Sequence, residues 1–87
     1  MAIWGADIVQ LKNLGTKLQA GSNEIENQRN TLNKVLASTD WKGPDADKFR
    51  NEWNGQHMTA LNKVAQALQE AGKRATQNAA EQEQASR

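Results

Sequence analysis

Leu11, Leu18, Ile25 and Leu32 stand seven residues apart, with Ile8, Leu14, Val35 and Leu36 beside them. A spacing of seven returns a side chain to nearly the same side of a helix every two turns, so these residues define one apolar stripe. Strict alternation, the mark of a half-buried strand, is absent. Lys, Asn, Gln, Glu and Arg fill the intervening positions and suit a solvated face. Asp7 precedes Gln10 by three residues in the arrangement of a capping box, which starts the helix at about residue 7. Gly15, Gly21 and Ser22 flank the stripe, although each glycine costs about 1 kcal/mol against alanine in a helix. They fit either a flexible, kinked segment or a close crossing with another helix, which a missing side chain permits. Of the two, the close crossing is preferred.

The pattern stops between Ser38 and Pro44, where Ser, Thr, Asp, Gly and Pro crowd together. Pro44, the one proline of the chain, fits the first turn of a new helix, where its missing N–H is no loss. Asp45 and Asp47 then put negative charge near the positive end of the helix dipole. The expected stripe of this second helix is Phe49, Trp53, His57, Ala60, Leu61, Val64, Leu68, Ala71 and Ala75, spaced by threes and fours. Residues 79–87, AAEQEQASR, are polar and low in complexity, and a flexible tail is expected there. The expected organisation is therefore a helical hairpin over residues 1–78, with a helix at about 7–38, a turn at about 39–43 and a helix at about 44–78.

Each arm has roughly 30 residues, or roughly 45 Å at 1.5 Å per residue, and the short connection makes the arms antiparallel neighbours. Two helices form a single layer and leave part of each stripe facing water. The predicted class is all-α: an antiparallel helix-turn-helix hairpin that dimerises into a four-helix bundle. Leu11, Leu18, Ile25 and Leu32, with Phe49, Trp53, Leu61, Val64 and Leu68, are expected to build the hairpin and dimer core. The partner is a second copy or a different hairpin, because a stripe specifies burial and not the identity of what buries it.

Chemistry is constrained by what the chain lacks. With no cysteine and His57 as the one histidine, neither a Cys–His pair nor a zinc site of the usual ligands is available, so no enzyme, metal or cofactor is expected. His57 is read as a boundary residue with a packed ring and a wet nitrogen. Asp40, Asp45 and Asp47 lack the ligand count and glycine placement of a calcium loop, and capping is their expected use. Eleven Lys and Arg balance ten Asp and Glu, and Lys63, Lys73 and Arg74 share their helix with Glu52 and Glu70. Nucleic acid is therefore not an expected partner. No run of eighteen apolar residues and no secretory signal is present, so synthesis as a soluble cytoplasmic protein is expected, without membrane contact. Trp4 is expected to pack on the end of the bundle.

One stretch remains, STDWKGPDADKFRNEW, residues 38–53. Trp41-Lys42-Gly43 between two long amphipathic helices, followed by Phe49 and Trp53, resembles the WXG family of small type VII secretion proteins. Trp53-Asn54-Gly55 also matches the tripeptide but merely continues a helical stripe; it is the mid-chain position of Trp41 that gives the resemblance weight. The resemblance covers essentially the whole chain. It implies a small protein that pairs with another of its type and is secreted by a type VII, non-Sec route. Its implied recognition surface is the turn of Trp41 and Gly43, set against an export element of the other subunit and read by the secretion machinery. Family members also carry a Tyr-x-x-x-Asp or Tyr-x-x-x-Glu signal after the second helix, and this sequence has no tyrosine. A partner carries the signal, the chain departs from the pattern, or the sequence stops short of it. The competing expectations are an intracellular helical adaptor or coiled-coil module that is not exported, and a nucleic-acid-binding helical dimer.

Overall fold

The computed structural model describes residues 7–85, and the expectation for Trp4 lies outside them. Helix α1 is Ile8–Ser38, helix α2 is Pro44–Glu52, and helix α3 is Met58–Ala85. A π-helical turn, Trp53–His57, joins α2 to α3 without a break, so the chain is an all-helical hairpin. Its extents are 65 × 18 × 13 Å and its radius of gyration is 19.2 Å. A compact domain of this length has a radius of about 12 Å, so the hairpin is a rod.

The ends of α1 follow from local chemistry. At its start the Asp7 carboxylate accepts from the Gln10 N–H at 3.0 Å, occupying a donor that has no partner within the helix. At its end the Ser38 and Thr39 hydroxyls both donate to the Val35 carbonyl, at 3.1 and 2.6 Å. The chain then reverses over residues 39–43. Gly43 lies at φ 118°, ψ 177°, a region essentially reserved for glycine. Pro44 follows it in the first turn of α2.

The contact between the two arms is built from small residues. Gly15 and Ser22 on α1, and Ala65, Gly72 and Ala79 on α3, are buried and stand seven apart on each helix. They pair in mirror order about the turn. A β-carbon on Gly15 would lie 3.0 Å from the Gly72 carbonyl oxygen, and one on Gly72 would lie 2.9 Å from the Gly15 carbonyl oxygen. The helices therefore touch backbone to backbone, which only glycine permits at this point. One step towards the turn, the Ser22 hydroxyl donates to the Ala65 carbonyl at 2.7 Å. Farther along, Arg29 donates through Nη1 to the Asn62 side-chain carbonyl. Of the two readings given to Gly15 and Ser22, close crossing is the one found. Gly21 stands beside the contact, where a β-carbon would meet only Leu68 Cδ1, at 3.7 Å.

The large apolar residues flank this contact. Leu11 and Leu18 precede Gly15 and Ser22 by four residues, Leu61 and Leu68 precede Ala65 and Gly72 by four, and all four leucines are half-buried. No large side chain is fully buried among the described residues; Trp53, 8% exposed, comes nearest.

The π turn corrects the expected stripe of the second arm. The side facing α1 runs Ala46, Arg50, Trp53 and then Met58, Leu61, Ala65, Leu68, Gly72, all buried or half-buried. Every interval is three or four except the five from Trp53 to Met58. One extra residue is absorbed by the wider turn, and the inward face shifts by one position. His57, Ala60 and Val64 are consequently exposed. Deleting Gly55, where an added β-carbon would meet nothing within 4 Å, should restore an unbroken three-four spacing. The expected result is a continuous α-helix, more stable by about 1 kcal/mol through loss of an internal glycine, read as a higher melting temperature in circular dichroism. Loss of the helical signal on deletion would contradict this account of the turn.

The C-terminal stretch also differs from expectation. Helix α3 continues to Ala85, Ala79 is 0% exposed, and Lys12 Nζ meets Glu83 Oε2 at 2.6 Å. Ala, Glu and Gln are strong helix formers, so low complexity here does not break the helix, and the small Ala79 side chain continues the close seam. The described part of the expected tail is therefore helix.

Candidate functional site

The turn end of the rod gathers the aromatic residues. Trp41 sits at the reversal, 39% exposed, with its ring centroid 5.7 Å from that of Phe49 and the planes tilted by 48°. Phe49 is brought there by the first turns of α2, and it too is 39% exposed. Arg50, the next residue, reaches back across the turn. Its Nη1 donates to the Trp41 carbonyl at 2.6 Å and its Nη2 to the Thr39 carbonyl at 3.1 Å. The guanidinium carbon lies 5.9 Å from the centre of the Trp41 ring, within range of a cation–π contact. Arg50 thus engages the backbone and the indole of the turn together.

Beneath the turn, Trp53 closes the gap between the arms. Its indole N–H donates to the Asn33 side-chain carbonyl at 3.2 Å, satisfying the one polar atom of a mostly buried ring. Leu32, Val35, Leu36, Thr39, Phe49 and Trp53 line an apolar groove of about 240 Å³ at this end. Aliphatic residues on α1 and aromatic ones on the second arm form its walls, and it suits an apolar or aromatic side chain. Lys42 and Asp40, 3.8 Å apart and almost fully exposed, lie outside it.

The expected site residues divide accordingly. Trp41 and Gly43 occupy the turn, with Trp41 at the surface and Gly43 at the backbone angle that lets α2 begin. Of the residues assigned to the hairpin and dimer core, Trp53 is buried within the hairpin. Leu11, Leu18, Ile25, Leu61 and Leu68 are half-buried, and Leu32, Phe49 and Val64 are exposed. The seam between the arms is narrower than their summed apolar width because small residues hold the backbones together. The larger side chains are pushed to its margin. Leu14, Leu32, Val35 and Val64 consequently show between 47% and 54% of their surface.

Arg50 and Asn33 have no role in the sequence reading. Arg50 lies inside the quoted motif but reads as a surface cation of an amphipathic helix. Asn33 reads as one of many polar residues, and its pairing with Trp53 follows only from the mirror register of the hairpin. His57 is exposed in the π turn rather than packed. Among the described residues no group of three His, Cys, Asp or Glu is placed to hold a metal ion, and no helix is long and apolar enough to cross a membrane.

The chain exposes 6817 Å². A compact monomer of 9.6 kDa exposes about 5,100 Å². The excess of about 1,700 Å² accords with the elongated shape of the hairpin. Comparison with protein-family models, with curated proteins and with solved structures gave no match to the chain.

Proposed function

We propose that this chain is a WXG-type small protein that pairs with a second helical hairpin to complete a four-helix bundle, and that it is a substrate or escort partner of a type VII secretion system. It acts by recognition and not by catalysis. The observation that carries the reading is the turn: Trp41-x-Gly43 joins two long helices, with the Trp41 ring exposed against Phe49.

The pairing half of the proposal is supported by the stripe beside the seam. Leu11, Leu14, Leu18, Ile25, Leu32 and Val35 repeat by threes, fours and sevens along α1, half-buried or exposed. Such a stripe matches the shallow crossings of four-helix bundles. Covering it removes apolar area from water at about 25 cal/mol per Å². In that assembly the groove between α1 and Phe49 receives a side chain from the other hairpin, whether a second copy or a different chain.

Trp41→Ala tests the reading. Loss of an aromatic hot spot costs about 2 kcal/mol or more, so binding at the turn should fall by about thirtyfold. The expected outcome is much reduced export from the native host, with helical content unchanged because Trp41 lies outside both helices. Export at the level of the unsubstituted protein would overturn the recognition role.

A further inference from the structure

We propose that Arg50 is a positioning residue of the recognition turn: its guanidinium, forked across the Thr39 and Trp41 carbonyls and lying against the indole, fixes the orientation in which Trp41 is presented. The inference rests on the recognition role proposed above for the turn.

Residues 39–43 belong to neither helix, and within them the backbone has few partners of its own. At the edges, the Thr39 N–H donates to the Leu36 carbonyl at 3.3 Å and the Asp47 N–H to the Gly43 carbonyl at 3.0 Å. Gly43 fixes the exit angle of the chain but exerts no hold on the Trp41 side chain, since nothing would lie within 4 Å of its β-carbon. Two groups touch the indole instead. Phe49 supports one side of it, and Arg50 ties its own backbone carbonyl and covers the ring. Thr39 and Trp41 are two residues apart on an irregular strand of chain, and the same guanidinium holds both.

Only arginine supplies this arrangement. A planar fork presents two N–H groups at a fixed separation while its face or edge meets an aromatic ring, and a lysine ammonium offers a single point of charge. Arg50 is anchored by α2, one residue after Phe49 and one helical turn after Ala46, which is 0% exposed. The brace therefore transmits the position of a packed helix to an exposed side chain. An exposed indole without it would sample many rotamers, and binding would weaken in proportion to the fraction held in the competent one.

The test uses full-length protein labelled with 5-fluorotryptophan, whose Trp41 ¹⁹F resonance is assigned by its absence in Trp41→Phe. Arg50→Lys keeps the charge and removes the fork; Arg50→Gln removes both. In each, the Trp41 resonance is expected to move towards the position it has in urea, while far-ultraviolet circular dichroism and solution mass stay unchanged. Export should fall about tenfold if the competent fraction falls to about a tenth. In ¹⁵N-labelled unsubstituted protein, the Arg50 Nη1 and Nη2 signals should be resolved from one another, a measurement that needs no variant to fold. An unmoved Trp41 resonance in both variants, or merged Nη signals, would overturn the positioning role. A moved resonance with unchanged export would overturn its consequence for recognition. Should Trp41→Ala itself leave export unchanged, the parent reading fails, and the resonance shifts still decide whether Arg50 orients the ring.

Discussion

Replacing Gly72 by valine should lower the melting temperature of the protein by roughly 15 °C or more. A β-carbon at this position would stand 2.7 Å from Gln19 Cγ, 2.9 Å from the Gly15 carbonyl oxygen and 3.3 Å from the Gln19 nitrogen. Gln19 Cγ is a side-chain atom and can swing aside, but the other two belong to the backbone of α1 and yield only if the helices part. Overpacking of this kind costs about 1–3 kcal/mol. Parting the helices also stretches the Ser22 to Ala65 hydrogen bond, worth about 1 kcal/mol. A loss of about 3 kcal/mol at 4–8 °C per kcal/mol for a chain of this size gives the stated shift. Gly21→Ala is the matched control, since its new methyl would meet only Leu68 Cδ1 at ordinary distance and gains up to about 1 kcal/mol of helix propensity. Thermal circular dichroism at one fixed concentration reads both. A melting temperature for Gly72→Val within a few degrees of the parent protein would mean the backbones do not touch there.

Trp53→Ala is the second large effect, about 3–5 kcal/mol for emptying a large site that is mostly buried, at 8% exposure. The ring fills the space between α1 and the π turn, and Leu32, Val35 and Leu36 lie around its groove. Trp53→Phe separates the two contributions of the indole. It keeps most of the volume and loses the bond to Asn33, whose side chain is exposed and can turn to water, so about 1 kcal/mol is expected. Urea unfolding of both variants gives the ratio. Equal losses for alanine and phenylalanine would assign the role of Trp53 to its hydrogen bond and not to its volume.

The hairpin is legible in the sequence because its punctuation is chemical. Asp7 with Gln10 and the cluster from Ser38 to Pro44 act through local groups that work the same way in any fold. What the sequence conceals follows from the weight given to size. The close crossing at Gly15 and Ser22 is legible, but a reading that seeks apolar mass places the opposite side of the contact on Leu61, Val64 and Leu68, whereas Ala65, Gly72 and Ala79 occupy it. Their value lies in what they lack, and hydrophobicity does not record that. The π turn is concealed for a different reason: WNGQHMTAL offers an apolar or aromatic residue at both phases, His57 or Met58 and Ala60 or Leu61. Periodicity alone cannot choose between them. Within the candidate site, Trp41 and Gly43 stand out because a tryptophan in a turn is unusual. Arg50 does not, because a basic residue on a helix is common and its reach to Thr39 and Trp41 is a fact of three dimensions.

The mirror pairing of the arms has a kinetic meaning. Asn33 meets Trp53 across a short loop, Ser22 meets Ala65 across a longer one, and Gly15 meets Gly72 across the longest. Closing each loop costs more chain entropy than the one before, but each is shortened once the pair inside it has formed. Loop closure therefore favours a zipper from Trp53 outward. Amide protons of α1 and α3 should then exchange with solvent fastest at the Gly15–Gly72 end and slowest beside Trp53, which exchange followed by NMR would read.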